Sequence, residues 1–412
     1  MHGTALETRG EITATAYDTS GTRMATCTSS GAIHVWDRAA DAPDGSPGVW
    51  RQTSAWAAHD APCLAVAFAD AEHGQCLASS DGSGAVRVWR EPPRSADPKA
   101  ALAASRAALA GAAPWDLCAD LGAARRDASS AARHLAFAPP DAAPGPNGTR
   151  APSLAAAGDD GVVRFYAPRD ADALADWELE NEAEALAPGG ACTALAWRVA
   201  AGESSGTSAG AGARDGALTT PKPAMLAVGM HWPATGRSDA RVLARDEANA
   251  RWRVAARLFS GEPRAPATAL AWAPDTDAFG GGTETIAAAV GAEVGVFRVE
   301  AFPGGREARG AAYYDEEGPA EKAAAEKAAA SGATFSDGGG GAFRRGGARD
   351  AEAGELRARC AATLAHPAEV HGLDWNVVGN ALATSAGDGR VRVWAANVQT
   401  GAWEERAQLV AE

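Results

Sequence analysis

The feature that most constrains the fold is a segment that occurs four times with identical spacing. In each copy an aliphatic residue precedes an aromatic residue by twelve positions, with a glycine seven positions after the aliphatic one. The copies run from Met24 to Trp36, Leu77 to Trp89, Leu154 to Tyr166 and Leu382 to Trp394. Their second halves alternate apolar and polar residues, as half-buried strands do, and the glycine is typical of a tight turn. The spacing therefore predicts a β-hairpin in every copy.

Each hairpin is flanked by further segments with the pattern of a strand. Upstream, an alternating segment ends in an aromatic residue at Ile12–Tyr17, Leu64–Phe68, His134–Phe137 and Gly372–Trp375. Downstream, a segment carrying tryptophan occurs at Trp50–Trp56, Trp177–Leu179 and Trp403–Leu409. Four antiparallel strands per unit are the composition of one blade of a β-propeller.

Two weaker units bring the number of blades to six. We therefore predict an all-β chain in which a six-bladed propeller occupies residues 1–412 as a single domain. The predicted blades span about 11–56, 62–121, 132–180, 191–258, 267–364 and 370–410.

The repeat aromatics predict a buried polar network. In blades of the WD type, a tryptophan on the third strand bonds a serine or threonine on the second, which is tied to a histidine before the first strand and to an aspartate in the turn. Such mutually satisfied groups stabilise a core and leave no reactive proton donor. The residues concerned are Trp394, Thr384, His366 and Asp388 in the last copy, Trp89, Ser79 and His59 in the second, Trp36 and Thr26 in the first, and Tyr166 and Asp160 in the third.

Composition excludes several classes of function. The net charge of −14 disfavours nucleic acid and anionic membranes as direct partners. The six cysteines are scattered without a C-x-x-C pair, so we expect neither a metal site nor a disulfide framework. No stretch has the length and apolar character of a membrane span or a signal peptide. We expect no cofactor.

No catalytic constellation emerges from the motifs. Residues 202–206 and 206–210 both match G-x-S-x-G, but they lie in a Gly/Ser-rich insertion instead of a strand–turn–helix. His366 and His371 are five apart, which suits no common zinc motif. The sequence therefore predicts a chain that is not an enzyme.

Three long insertions interrupt the blades, at about 92–114, 199–222 and 302–354. Their Ala, Gly, Ser and Pro content is typical of flexible surface loops. Residues 321–327 could form a short surface helix, because Ala, Glu and Lys favour helices.

The two ends of the chain suggest an open ring. The last blade obtains its outer strand from the C-terminal segment Trp403–Leu409, and only about ten residues precede the first strand. We expect a ring without an internal latch, whose bare sheet edges pair with another chain.

The segments within and between blades resemble the Seh-one family of WD-repeat scaffold nucleoporins. The similarity covers all six repeats, omits the insertions and departs from the family at Ser30 and Ser83, where a turn aspartate is expected. The segments that carry it are Arg23–Ser29, Gly74–Ser79, Asp160–Tyr166, Trp177–Leu179, Met225–Gly229, Trp375–Ser385 and Val391–Asn397.

This resemblance implies an open propeller completed in trans by a blade from a helical partner nucleoporin. It also implies contact with other subunits of the Y-shaped complex, a place in the nuclear pore complex at the nuclear envelope, and support for transport of protein and mRNA. In some lineages the family also joins an amino-acid-sensing complex upstream of the TOR kinase, at the lysosome or vacuole surface.

Three other functions remain open from the sequence. A WD-repeat subunit of a vesicle coat would share the open six-bladed fold. A substrate adaptor of a ubiquitin ligase would call for a basic or aromatic mouth, which this acidic chain does not suggest. An enzymatic propeller would need convergent titratable residues.

Overall fold

The computed structural model describes residues 8, 10–41, 48–91, 99, 115–121, 131–139, 151–170, 174–183, 189–198, 224–246, 251–259, 265–274, 284–301, 356–397 and 399–410. These residues form 24 strands and one short 3-10 turn at Ala71–His73. The insertions predicted at 92–114, 199–222 and 302–354 lie outside the described residues, apart from residue 99. The predicted helix at 321–327 and both G-x-S-x-G segments lie outside them as well.

The strands are grouped in fours along the chain. The first three groups are β1 (Ile12–Tyr17), β2 (Arg23–Thr28), β3 (Ala32–Arg38), β4 (Trp50–Ala57); β5 (Cys63–Phe68), β6 (Cys76–Asp81), β7 (Val86–Arg90), β8 (Asp116–Asp120); β9 (Ala132–Phe137), β10 (Leu154–Gly158), β11 (Val163–Asp170) and β12 (Ala175–Ala183). The last three are β13 (Ala191–Trp197), β14 (Met225–Trp232), β15 (Arg237–Arg245), β16 (Trp252–Phe259); β17 (Ala267–Trp272), β18 (Glu284–Val290), β19 (Glu293–Ala301), β20 (Leu356–Ala365); β21 (Val370–Trp375), β22 (Ala381–Ala386), β23 (Arg390–Ala396) and β24 (Trp403–Val410).

Every group is one antiparallel sheet whose strands pair in chain order. The predicted hairpins are present, with Met24 opposite Trp36 and Leu382 opposite Trp394. Six four-stranded sheets of this kind confirm the prediction of an all-β, six-bladed propeller, and each sheet is called a blade below.

The first strand of each blade packs against the first strand of the next. This holds for β1 with β5, β5 with β9, β9 with β13, β13 with β17 and β17 with β21. Within the part of the chain that the structure describes, β21 makes no comparable contact with β1. The first strands of the six blades therefore form a series. The strands at its two ends, β1 and β21, do not pack together as adjacent strands of the series do.

The interface between two successive blades, called a seam here, is built on small side chains. An alanine on the second strand lies opposite a valine or phenylalanine on the third, and in blades 1 to 5 both members are at most 1% exposed. These pairs are Ala25 with Val35, Ala78 with Val88, Ala155 with Phe165, Ala227 with Val242, and Ala287 with Val296. Since interiors pack densely, alanine at this position lets neighbouring sheets approach closely. Part of the high alanine content is thus structural.

Candidate functional site: the polar networks, the seams and the exposed blade faces

The second blade contains a buried chain of polar groups. The Trp89 indole N–H donates to Ser79 Oγ at 2.9 Å, and the same oxygen lies 2.7 Å from His59 Nε2. The other ring nitrogen of His59 faces an Asp81 carboxylate oxygen across 3.2 Å. All four side chains are buried. Burial, only partly offset by Asp81, lowers the pKa of His59 to about 4, so the imidazole is neutral at pH 7.

Asp81 is the residue of this network that sequence reasoning missed. The turn aspartate was expected at position 83, where serine stands. Asp81 precedes it by two residues, and its Oδ1 accepts the backbone N–H groups of Ser83 and Ala85 as well as the Ser83 hydroxyl. An acidic residue at the end of the second strand was the available signal, because its side chain can fold back over the turn.

The sixth blade contains the same series of hydrogen-bonded groups, but the second ring nitrogen of its histidine has a different partner. Trp394 Nε1 donates to Thr384 Oγ1 at 3.1 Å, and His366 Nε2 lies 2.8 Å from that oxygen. His366 Nδ1 lies 3.2 Å from the Leu364 carbonyl oxygen. The turn aspartate was expected to bind this histidine. Instead, the carboxylate of Asp388 accepts a hydrogen bond from Arg392 Nη2 at 2.6 Å.

The first and third blades have shorter versions. In the first, Trp36 Nε1 donates to the fully buried Thr26 Oγ1 at 3.1 Å. In the third, Tyr166 is at the tryptophan position, but Ala156 replaces the hydroxyl residue of the second strand. Asp160 pairs with Arg164 at 2.5 Å, as Asp388 does with Arg392. These groups bond one another within the protein, which is the arrangement of a structural network and not of a reactive site.

Each seam also contains directional hydrogen bonds. The indole N–H at the end of a first strand donates to a carbonyl of the preceding first strand at 3.0–3.1 Å. The three such bonds run from Trp197 to Ala136, from Trp272 to Ala196 and from Trp375 to Ala271. In the opposite direction, a hydroxyl donates to a carbonyl of the following first strand: Thr13 to Cys63, Ser80 to Ala132 and Thr268 to Val370.

Most blades contain a pair of aromatic rings at the end of the sheet where the first strand ends and the fourth strand begins, which is called the lower edge here. One ring ends the first strand, and the other lies at or near the start of the fourth strand. Among the described residues the pairs are Tyr17 with Trp50, Phe68 with Trp115, Phe137 with Trp177, Trp197 with Trp252, and Trp375 with Trp403, with centroids 5.4–6.4 Å apart. In blades 2, 3, 4 and 6 the pair packs into the core shared with the preceding blade.

The sixth blade exposes the face that the other five bury. Ala383 opposite Val393, and Ser385 opposite Val391, are the register equivalents of Ala287–Val296 and Ala289–Val294 in the fifth blade. All four fifth-blade residues are buried, whereas Val391 is 36% exposed and its three companions are partly exposed. On the outer strand, Leu409 opposite Val391 is also exposed.

The first blade exposes the matching aromatic edge. Tyr17 is 57% exposed, although the corresponding residues of the other blades are buried or half-buried. Trp50 stacks edge-on against it at 5.8 Å, and Val49 beside Trp50 is exposed. The upper part of the same sheet face, including Thr26 and Trp36, is already buried. The accessible part of the first blade is therefore its lower aromatic edge.

The described residues also bear on two other kinds of site, a metal centre and a membrane-spanning helix. No three His, Cys, Asp or Glu side chains in this part of the chain converge as metal ligands would. None of its helical segments has the length and hydropathy needed to cross a membrane.

The chain is similar to known WD-repeat proteins. Residues 3–37 and 358–395 match the family "WD domain, G-beta repeat". Over 185 residues the chain is 28% identical to nucleoporin SEH1 of Danio rerio, 27% to nucleoporin SEH1-A of Xenopus laevis and 26% to nucleoporin SEH1 of Homo sapiens. Each alignment covers 44% of this chain and 42% of the relative, so less than half of either is matched. The chain therefore combines a six-bladed fold with WD-repeat matches at both ends and a partial similarity to SEH1 nucleoporins.

Proposed function

We propose that this protein is a structural scaffold nucleoporin of the Y-shaped subcomplex of the nuclear pore complex. It binds a helical partner nucleoporin at the gap between its sixth and first blades, and so supports transport of protein and mRNA through the pore. The observation that carries the proposal is the exposed face around Val391, because the equivalent positions of the other blades are buried. The similarity to SEH1 nucleoporins supplies the cellular context.

The chemistry of the gap favours a protein as partner. Val391, Val393 and Leu409 form an apolar sheet surface, and covering such side chains contributes about 1 kcal/mol or more each, depending on the area buried. A net charge of −14 opposes nucleic acid, whose phosphates require clustered cations. The role proposed is therefore that of a binding scaffold and not of an enzyme.

Affinity purification of the tagged full-length protein, followed by mass spectrometry, tests the proposal. The wild type should recover nucleoporins of the Y-shaped subcomplex. Val391→Glu places a charge on the exposed blade face and should reduce that recovery by about tenfold or more, since a buried unpaired charge costs several kcal/mol. Leu117→Glu is the matched control, because Leu117 is exposed on the second blade, away from the gap.

Two outcomes contradict the proposal in different ways. Recovery of vesicle-coat subunits without nucleoporins would favour the coat function instead. Undiminished recovery of nucleoporins by Val391→Glu would show that the partner docks elsewhere than at the gap. Because position 391 is exposed, the variant should fold with an unchanged circular dichroism spectrum, so loss of binding is not loss of structure.

A second measurement concerns the protein alone. An exposed apolar sheet face promotes self-association, so the isolated chain should aggregate or unfold at lower temperature than the chain co-expressed with its partner. A monodisperse isolated chain whose Tm does not rise in the complex would contradict docking at this face.

A further inference from the structure

Two cysteines face each other across the seam between the first and second blades. Cys27 lies on β2 and Cys63 begins β5, and both side chains are fully buried in the core that the two blades share. Thr13 Oγ1 lies 3.4 Å from Cys27 Sγ and donates to the Cys63 carbonyl oxygen at 2.7 Å. The two thiols are free, and they are hydrogen-bonded to each other, so the sulfur atoms are direct neighbours.

The register of the blades shows how closely these two positions approach. In the seam between the fourth and fifth blades, the residues equivalent to Cys27 and Cys63 are Gly229 and Ala267. A Cβ added at Gly229 would lie 3.0 Å from the Ala267 Cβ. A disulfide joins residues whose Cβ atoms are about 3.5–4.5 Å apart. Cysteines at both positions therefore need only a small adjustment of the seam to form an S–S bond.

Among the five seams between successive described blades, only the first has cysteine at both positions. The equivalent pairs of the other seams are Ser80 with Ala132, Ala157 with Cys192, Gly229 with Ala267, and Ala289 with Val370. Cys192 is thus the counterpart of Cys63 that faces an alanine instead of a thiol.

The thiol pair also changes the acidity of its members. The hydrogen bond from Cys63 lowers the pKa of Cys27, and the same hydrogen bond raises the pKa of Cys63. Burial alone raises the pKa of Cys192 to about 12. Because the thiolate is the nucleophile in cysteine chemistry, Cys27 is the attacking thiol and Cys63 is the resolving thiol.

The position of the first blade at one end of the series gives an oxidant a route to these buried thiols. Its first strand packs against β5, whereas within the described part of the chain β21 makes no comparable contact with it. One seam therefore holds this blade among the described residues, while two seams hold each of blades 2 to 5. Local opening of that one seam exposes both sulfur atoms to a small oxidant.

We propose that Cys27 and Cys63 are a redox modification site, at which a peroxide closes a disulfide that fastens the first blade to the second. The Cys27 thiolate attacks one oxygen of hydrogen peroxide, the O–O bond breaks, and the other oxygen takes the proton that Cys27 lost and leaves as water. The Cys63 sulfur then attacks Sγ of the Cys27 sulfenic acid, whose oxygen leaves as a second water with the Cys63 proton. The two thiols lose two electrons and two protons, which reduce one peroxide to two molecules of water. A dithiol reverses the reaction by thiol–disulfide exchange.

Mapping of cysteine pairs in the full-length wild-type protein tests the proposal. The native protein is treated with hydrogen peroxide, the remaining thiols are blocked with N-ethylmaleimide, and the chain is digested with trypsin and Glu-C without reduction. These proteases separate Cys63 from Cys76, because Asp70 and Glu72 lie between them. Mass spectrometry should find the Cys27 peptide joined to the Cys63 peptide as the main disulfide product, and dithiothreitol should release both peptides. The oxidised protein should have a Tm about 5 °C above that of the reduced protein, since the crosslink closes a loop of the chain.

Cys63→Ala and Cys192→Ala are the matched variants, because each removes a buried thiol from the start of a first strand. Cys63→Ala should abolish both the crosslink and the rise in Tm on oxidation, whereas Cys192→Ala should keep both. Each variant is compared in its oxidised and reduced forms, so a change in its basal stability does not alter the result.

Recovery of Cys27 and Cys63 as free thiols after peroxide treatment would overturn the proposal. So would oxidation of Cys27 to a sulfinic or sulfonic acid, pairing of Cys27 with another cysteine, or a crosslink that forms only in urea. A Cys27–Cys63 crosslink without a rise in Tm would show that the disulfide does not fasten the blade. The mapping uses the wild type, so its outcome does not depend on whether a variant folds.

Discussion

The carboxylate of Asp81 lies 3.2 Å from Nδ1 of His59, across the top of the second blade. The contact connects the turn between the second and third strands to the loop that enters the blade. His59 in turn reaches Ser79 and, through it, Trp89. One line of polar groups thus crosses the sheet in a region where the surrounding side chains are apolar, and its loss should be measurable.

Removing the central hydroxyl of this line should cost more than removing its counterpart in the first blade. Ser79→Ala leaves both the Trp89 N–H and His59 Nε2 without their buried partner, so we expect a loss of about 2–4 kcal/mol. Thr26→Ala leaves the Trp36 indole N–H without its hydrogen bond to the threonine hydroxyl, so we expect about 1–2 kcal/mol. Urea unfolding of the two variants measures the difference. Equal losses would contradict a hydrogen-bonded line that runs from Trp89 through Ser79 to His59.

Two histidines with lowered pKa values, the buried His59 and the half-buried His134, make the fold sensitive to acid. Burial lowers the pKa of His59 and of His134 to about 4 each, below the ordinary value near 6.5. The unfolded chain therefore binds protons between pH 6.5 and 4 that the folded chain does not. Above pH 6.5 these groups do not reduce the free energy of unfolding. As the pH falls from 6.5 toward 4, the free energy of unfolding decreases by at most about 3 kcal/mol for each histidine.

Thermal unfolding between pH 7 and 4 checks this dependence. His59→Gln removes one titrating group, so its Tm should fall less steeply with decreasing pH than that of the wild type. His371→Gln is the matched control, because His371 is exposed. A slope for His59→Gln identical to that of the wild type would show that His59 does not titrate in this range.

Arg23 links the first two blades, and its loss should be costly. Its guanidinium donates to Asp37 at 2.6 Å and to Gln75 at 2.8 Å, and it also pairs with Glu91. Although burial opposes the charge, the hydrogen bonds to both carboxylates raise the pKa of Arg23 above its usual value. Arg23→Met leaves these carboxylates without the cation, so we expect a loss of about 3 kcal/mol in urea unfolding.

The control for this pair is Arg38→Met. Arg38 binds Asp41 at 2.6 Å, but both side chains are substantially exposed. Solvent screens such a pair, so we expect a change within about 1 kcal/mol. Losses of similar size in the two variants would argue that Arg23 contributes no more than a surface ion pair.

Glycine is required at Gly31 for two reasons. Its φ is +77°, and a Cβ there would lie 2.2 Å from the carbonyl oxygen of His59. At Gly389 the φ of +72° is similar, but a Cβ would meet open space. Gly31→Ala should therefore cost well over the roughly 1 kcal/mol of backbone strain expected for Gly389→Ala. Thermal unfolding of both variants gives the comparison, and equal shifts in Tm would rule out the steric contribution.

Much of the fold was predictable because its determinants are local. The hairpin between Leu382 and Trp394 follows from alternation and from a turn glycine, Gly389, and both act within thirteen residues. The partners of Trp394 and Trp89 were likewise predictable, since Thr384 and Ser79 stand at fixed offsets on the paired strand.

The partner of a turn aspartate was not predictable in the same way. Asp81 and Asp388 lie two positions apart in the repeat, yet one faces a histidine and the other binds Arg392. Which contact forms depends on the path of the loop that carries the histidine and on the residue four positions after the aspartate. Neither is fixed by the spacing of the hairpin itself.

The sequence by itself determined that the chain makes six blades, because strand alternation, turn glycines and aromatic strand ends recur from repeat to repeat. The ends of the chain suggested an open ring, but only the tertiary structure decided which side chains of the sixth blade face stay exposed. Ala383 and Val393 follow the same pattern as Ala287 and Val296, but among the described residues no following blade lies against the first pair. Burial of a sheet face depends on what packs on it, and that is set by the arrangement of all the blades around the ring.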